Sequence, residues 1–385
     1  MSDTQKNKKP NVPNLRFPGF RGEWEESIFG DCCTGFDYGM NAASKQFDGK
    51  HKYIRITDID ENTSEYRGDG VVSPDTEIDE HYRVKENDIL FARTGASTGK
   101  TYLYDPKDGR LYYAGFLIRM NVSPRNDSRF VFYQTQTPRY KKWVQIMSMR
   151  SGQPGINSKE YSSYRCFLPK LEEQQKIAKL LTIIDQRISI QNKVIEKYES
   201  LIKALYRRLL PLVVDKTAEL GTLVHICKGK QLNGEFLSDE GKYYVMNGGI
   251  TPSGYYDEYN TPAGTISISE GGNSCGFVQY NEKPFWSGGH CYTLLQTTDE
   301  RIQYKFLYHF LKSKQDEIMA LRIGSGLPNI QKKNIGSFPV PILPIDYQNA
   351  ITRLLDAIGK YIKNEQAILV EITHQKSYFL GNLFI

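Results

Sequence analysis

The sequence predicts an α+β protein. Two strand-rich domains are separated by two long helices forming an antiparallel coiled coil, and the whole is a pseudo-twofold internal repeat. Three observations predict it. The chain matches itself at one dominant offset, each copy ends in a sustained apolar heptad, and each copy begins with short aromatic and β-branched runs broken by glycine.

The self-match, at an offset of 174 residues, lays about Phe130–Leu210 on Tyr304–Phe384 without a gap. Ser151-Gly152-Gln153-Pro154-Gly155-Ile156 falls on Ser325-Gly326-Leu327-Pro328-Asn329-Ile330, and Lys159 falls on Lys333. Upstream the copies correspond more loosely, Phe29-Gly30 with Leu220-Gly221 and Gly95-Ala96-Ser97 with Gly271-Gly272-Asn273, at offsets drifting from 191 to 176.

In chain order, residues 1–166 are expected to form the first strand-rich domain. Tyr53-Ile54-Arg55-Ile56 and Asp88-Ile89-Leu90-Phe91 read as strands, and the spacing turns helical between Phe130 and Met149. Residues 167–211 carry the first long helix. Steps of four and three residues pass through Ile177, Leu181, Ile184, Ile188, Gln191, Ile195, Tyr198, Ile202, Leu205 and Leu209, apolar except at Gln191. Pro211 is a stop signal. Residues 212–337 repeat the first domain, with Thr265-Ile266-Ser267-Ile268 as a strand and helical spacing from Tyr304 to Ile323. Residues 338–385 repeat the helix through Ile351, Leu355, Ile358, Ile362, Glu365, Leu369, Ile372, Lys376, Phe379 and Leu383. Two such seams in one chain are most simply buried against each other, antiparallel across the intervening domain. Gln191 and Glu365 would then either fix the register from inside the rod or lie at its edge with solvated heads.

Composition narrows the function. The 385 residues hold 26 Tyr and 18 Phe with 39% apolar residues, too aromatic for a disordered chain. No run approaches a membrane span and the first 15 residues lack an apolar signal core, so a cytoplasmic chain without membrane partners is expected, with its six cysteines as reduced thiols. Thr94-Gly95-Ala96-Ser97-Thr98-Gly99-Lys100-Thr101 imitates a phosphate-binding P-loop. It has three residues between its glycines where four are needed, and its repeat partner has no lysine. The loop suits either contacts to a nucleic-acid backbone or base edge, or a tight turn between strands. The six histidines are scattered and form no zinc-ligand or hydrolase motif, so no catalytic or metal-binding residue is assigned. Glu172-Glu173 and Glu25-Glu26 read as solvated faces.

Charge is more informative. The net charge is +6, yet Phe130–Lys159 holds Arg139, Lys141, Lys142, Arg150 and Lys159 with no carboxylate. The equivalent Tyr304–Lys333 holds Lys305, Lys312, Lys314, Arg322, Lys332 and Lys333 against Asp316 and Glu317. One basic segment per copy fits an elongated duplex gripped twice, the alternative being solvated helix faces.

At this point the residues resemble a known family. Leu15-Arg16-Phe17-Pro18-Gly19-Phe20-x-Gly22-Glu23-Trp24, the Ser-Gly-x-Pro-x-Ile segment and Leu168-Pro169-x-Leu171-x-x-Gln174-x-x-Ile177 look like the specificity subunit of type I restriction-modification systems. The resemblance implies two target recognition domains, each reading half of a split site in double-stranded DNA, with the two helices as a ruler between them. It also implies partners: two methylation subunits bringing S-adenosylmethionine, and two motor-nuclease subunits bringing ATP hydrolysis and Mg-dependent cleavage. This chain would direct them without cofactor or catalysis of its own. Carried over by position, Gly95, Ser97, Thr98, Lys100, Lys141, Lys142, Arg150, Gln153, Asn157 and Lys159 would face DNA in the first domain. Asn273, Ser274, Lys312, Lys314, Arg322, Asn329, Gln331, Lys332 and Lys333 would do so in the second. The second helix departs from the first in lacking the Glu172-Glu173-Gln174-Gln175 run. The competing function is a coiled-coil adaptor holding two protein-binding domains, which explains the rod but not the paired basic segments.

Overall fold

A computed structural model describes residues 10–149, 152–209, 216–297, 299–324, 326 and 328–385. The chain divides into two compact units, one running to Asn192 and completed by Ala367–Ile385, the other Lys193–Gln366.

The first unit contains β1 (Glu25–Ile28), β2 (Cys33–Tyr38), β3 (Ser44–Gln46), β4 (Lys52–Ile54), β5 (Val72–Pro74), β6 (Asp88–Ala92), β7 (Thr101–Leu103), β8 (Leu111–Tyr113) and β9 (Leu117–Val122). Then follow α1 (Ser128–Gln134), α2 (Pro138–Met147), α3 (Ser158–Ser162), β10 (Arg165–Leu168) and the start of α4 (Leu171–Leu209). The second unit holds β11 (Thr217–Glu219), α5 (Leu220–Leu223), β12 (Val224–Lys228), β13 (Tyr243–Met246), β14 (Gly254–Tyr256), β15 (Thr265–Ser269), β16 (Val278–Asn281), β17 (Trp286–Ser287) and β18 (Cys291–Gln296). After these come α6 (Tyr304–Ser313), α7 (Gln315–Ala320), α8 (Lys332–Gly336), β19 (Pro339–Pro341) and α9 (Ile345–Asn382), whose end returns to the first unit.

The repeat is a repeat of topology. The main sheet has the order β2-β9-β6-β7 in one unit and β12-β18-β15-β16 in the other. In each, the opening strand pairs antiparallel with the strand that precedes the long helix, β1 with β10 and β11 with β19. Strands β6 and β15 are interior and buried along their whole length, which is why Asp88-Ile89-Leu90-Phe91-Ala92 reads as an almost unbroken apolar run rather than an alternating one. The helical stretch after each sheet is split in two. Thr137 caps α2, its side-chain oxygen accepting the Tyr140 amide at 3.2 Å, and Pro138 at the first helical position needs no N–H partner.

Part of each heptad seam lies in a core shared by the two long helices. In the first unit Ile177, Leu181 and Ile184 of α4 share one core with Ile372 and Leu380 of α9 and with Leu383 just past it. In the second, Ile202 and Leu205 of α4 share a core with Ile351 and Leu355 of α9. The start of α4 therefore meets the end of α9 and the reverse, so the helices pair antiparallel. The seam's polar member Lys376 is satisfied, with its ammonium 2.7 Å from Asp185 on α4, which also accepts the Tyr133 hydroxyl at 2.8 Å. Tyr198 and Tyr361 stack at 6.1 Å between centroids in the second unit. Gln191 and Glu365 are half-buried. Leu210 and Pro211 lie outside the described residues, as does the side chain of Leu209.

Two buried glutamines lock the heads of the long helices to their units. Gln174 donates to the Pro169 carbonyl at 3.0 Å and accepts the amide of Asp127, the residue capping α1, at 3.0 Å. Gln348 donates to the Leu343 carbonyl at 2.8 Å and accepts the amide of Gln303, which caps α6, at 2.7 Å. A buried amide with both ends engaged holds one geometry, because any movement would orphan a polar group in the core.

Glu173 corrects the sequence reading. It is not on a solvated face: it is buried at the head of α4 and takes both Nε and Nη2 of Arg16 at 2.8 Å, a bidentate pair. The Arg16–Trp24 segment is a strap. Lys176 of α4 sits 5.3 Å from the Phe17 ring centroid, and Trp24 packs on Phe130 and on Phe384 just past α9. No helix among the described residues is long and apolar enough to cross a membrane.

Candidate nucleic-acid interface

At the same end of each main sheet, three main-chain segments are stitched side by side. In the first unit the Arg93 amide donates to the Phe116 carbonyl at 3.0 Å, and the Arg93 carbonyl accepts the Ile156 amide at 3.0 Å. In the second, Glu270 donates to His290 at 2.9 Å and accepts from Ile330 at 2.9 Å. A glycine turn follows each. Gly95 donates to Pro154 at 2.9 Å and Gly272 to Pro328 at 3.0 Å; Gly99 closes back on Ala92 at 3.0 Å and Gly276 on Ser269 at 2.8 Å. The turn and the Pro154 or Pro328 segment thus form one clip, built twice.

Backbone angles match as well as hydrogen bonds: φ is +74° at Gly95 and Gly272, and +90° at Gly99 and Gly276. This corrects the sequence alignment by one residue. The structural offset here is 177, so Gly95 corresponds to Gly272 rather than Gly271, and Lys100 to Phe277. A Cβ on Gly99 would sit 2.5 Å from Cγ1 of Val144 in α2, and one on Gly276 2.7 Å from Cα of Met319 in α7. The helix carrying or following the basic residues is therefore seated directly on the turn, and glycine is required there.

The clip's polar groups are mostly spent on itself. Thr98 donates to the Gly95 carbonyl, and Asn157 caps α3 by accepting from Glu160 at 3.0 Å. Asn329 bridges to both Gly271 and Ile323 through the main chain. Lys100 lies 3.6 Å from Glu61. Ser97 and Ser274 are half-buried; Gln153, Asn273, Asn329 and Gln331 are exposed.

The basic segments divide into outward and inward cations. Lys141, Lys142 and Lys159 are exposed in the first unit, as are Arg322, Lys332 and Lys333 in the second. Arg139 instead donates to the Ile385 carbonyl at 2.8 Å and covers the Phe167 ring. Lys305 pairs with Asp356, and Lys314 with Glu317. Lys312 points inward: its ammonium donates to the Val278 carbonyl and to Gln315, both at 2.8 Å, and lies 3.9 Å from the Phe277 ring centroid. Burial holds that amine down to about 8. Its amine is thus engaged within the second unit, against the expectation that it faces DNA. Arg150 lies outside the described residues.

Three positions flanking the clip in each unit escaped the sequence reading. In the first unit, Arg93 stacks 4.9 Å from the Tyr38 ring centroid, Tyr38 accepts the Ser158 amide at 3.2 Å, and Phe116 stands 58% exposed at a turn. The equivalents are Lys228 for Tyr38, Glu270 for Arg93 and His290 for Phe116. Glu270 is nearly buried and gathers Lys228 at 2.6 Å, the Tyr292 hydroxyl at 3.0 Å and, at 3.7 Å, the imidazole of His290. The signal that finds them is unlikeness: at the ends of matched strands the two copies carry opposite chemistry.

A duplicated scaffold, an antiparallel helix pair and two matching clips with unlike flanking residues define a protein built of two like units that present different chemistry. The chain belongs to the type I restriction modification DNA specificity domain family, whose family model matches residues 22–200 and 215–374. A Mycoplasma pneumoniae protein provisionally named a type I specificity subunit is 36% identical over 146 residues, 38% of this chain. That match takes in 39% of the relative's own length. The specificity subunit of the type I restriction enzyme MjaVIII of Methanocaldococcus jannaschii is 23% identical over 413 residues, 94% of this chain and 92% of that one. Among solved structures, the S subunit of a type I restriction-modification system from M. genitalium superposes with a TM-score of 0.67 at 20% identity, covering 97% of this chain and 99% of that one. It is alike in fold.

Proposed function

We propose that this chain recognises a bipartite site in double-stranded DNA, one half per unit, and directs two methylation subunits and two motor-nuclease subunits to it in the cytoplasm. It carries no catalysis of its own. S-adenosylmethionine, ATP and Mg belong to the partners. The observation that carries the reading is the twice-built clip: one main-chain frame presenting different side chains, in units that each carry three exposed cations on the equivalent basic segment. Cations that neutralise phosphates set position, and a few side chains on a rigid frame read base edges. Gln153, Asn157, Asn273, Ser274, Asn329 and Gln331 are the polar groups nearest that task on the clip; Gly95, Ser97, Thr98 and Lys100 shape its turn.

The test is a map of adenine methylation across the genome of the source strain, with and without this gene, by sequencing that reads modified bases. Loss of one split motif on deletion supports the reading. An unchanged map, with transcript and partner proteins present, favours the adaptor reading instead.

A further inference from the structure

Resting on the DNA reading above, we propose that Phe116 in the first unit and His290 in the second are equivalent specificity-determining residues, each reading one base pair of its own half-site. The main-chain amides of Arg93 and Glu270 hold them in place.

Four observations carry this. First, both residues occupy one position in one frame, their carbonyls accepting the Arg93 and Glu270 amides at 3.0 and 2.9 Å. Second, both side chains project outward, Phe116 58% and the His290 side chain 63% exposed. An exposed phenyl at a turn contributes nothing to the core and leaves an apolar face open to a ligand. Third, the side chains next to the reader in the frame differ between the units. Arg93 lies over Tyr38 in the first unit, a cation on a ring. In the second, Glu270 binds Lys228 with one oxygen while the other lies 3.7 Å from the His290 imidazole. Fourth, Lys141, Lys142 and Lys159, or Arg322, Lys332 and Lys333, supply exposed positive charge in the same unit.

The chemistry separates the two half-sites. A phenyl ring has no hydrogen bond to offer, so Phe116 fits the thymine 5-methyl in the major groove. An imidazole donates and accepts, so His290 fits a purine edge presenting N7. Both readers sit on structured main chain, which gives them a defined reach.

The experiment exchanges the readers on the chromosome of the source strain, as Phe116→His and His290→Phe, with Phe116→Ala and His290→Ala as companions. Adenine methylation is then mapped and chain abundance measured. Phe116→His is expected to relax or change the preference at one base pair of one half-site by on the order of tenfold, leaving the other half-site and the spacer unchanged. His290→Phe is expected to do the same in the other half. The alanine variants lose preference at the same base pairs without gaining one. A motif unchanged in all four variants overturns the proposal, and so does a change in both halves from one substitution. Complete loss of methylation by both variants at one position, at normal abundance, also overturns it, since a residue reading one base pair does not carry the whole affinity. Absence of any split motif dependent on the wild-type gene sinks the underlying DNA reading itself.

Discussion

Alanine at three glycines separates the effect of backbone angle from that of contact. Gly272 has φ +74° and nothing within 4 Å of where a methyl group would stand, so Gly272→Ala meets only the left-handed backbone penalty. That is ~1–2 kcal/mol, offset by ~0.4–1 kcal/mol from the stiffer unfolded chain. Gly276→Ala adds a methyl 2.7 Å from Cα and 2.9 Å from N of Met319, both main-chain atoms of α7 that move only with the helix. Overpacking of that kind costs ~1–3 kcal/mol more, so Gly276→Ala should destabilise its unit by ~2–4 kcal/mol. Gly99→Ala falls between them, because the 2.5 Å clash is with a Val144 methyl that a rotamer change relieves in part. Hydrogen-exchange mass spectrometry across a urea series, read on peptides covering β6–β7 and β15–β16, measures each unit separately. The reasoning fails if Gly276→Ala and Gly272→Ala cost the same within ~0.5 kcal/mol, the usual error of such comparisons.

Arg16→Ala strands the buried Glu173 carboxylate and should destabilise the first unit by ~3–5 kcal/mol, with Arg16→Ala/Glu173→Met recovering part of it; a cost under ~1 kcal/mol would place the pair with exposed salt bridges. Below pH 8 the Lys312 ammonium is charged in a buried site, while the unfolded chain holds its proton to about 10.4. The unfolded state therefore binds more protons between these values, and stability of the second unit should rise from pH 8 toward 10, by ~1–3 kcal/mol relative to Lys312→Met in urea titrations at each pH. A wild type with no such gain over the variant would put Lys312 in solvent. Neutralising Lys141, Lys142, Lys159, Arg322, Lys332 or Lys333 should each lower the salt slope of duplex binding by up to ~0.9, whereas Arg139→Gln should leave it unchanged. Fluorescence anisotropy against salt reads this directly, and equal effects from both sets would undo the inward–outward division.

The long helices and the duplication were legible because a seam of Ile and Leu repeats on a fixed period and a gapless offset survives divergence. What escaped was the direction in which polar residues point. Glu173 reads as one of a charged pair, and only the approach of Arg16, 157 positions earlier, makes it a core residue. Arg139 and Lys312 raise the apparent basicity of their segments while their charged ends serve the Ile385 and Val278 carbonyls. The alignment slipped by one residue at Gly271-Gly272 because two adjacent glycines look alike in a sequence but not in φ: only Gly272 takes the positive angle that Gly95 takes. Phe116 and His290 carry no mark in the sequence, because their common position is set by the main-chain bonds to Arg93 and Glu270 and their side chains are unlike.

The clip is closed by main-chain amides and carbonyls, which every residue but proline supplies in full. A substitution at Phe116, His290, Arg93 or Glu270 therefore leaves the fastening intact. The frame that positions these side chains is thus separable from the side chains themselves, so each unit can change what it presents in single steps while its main chain stays as it is.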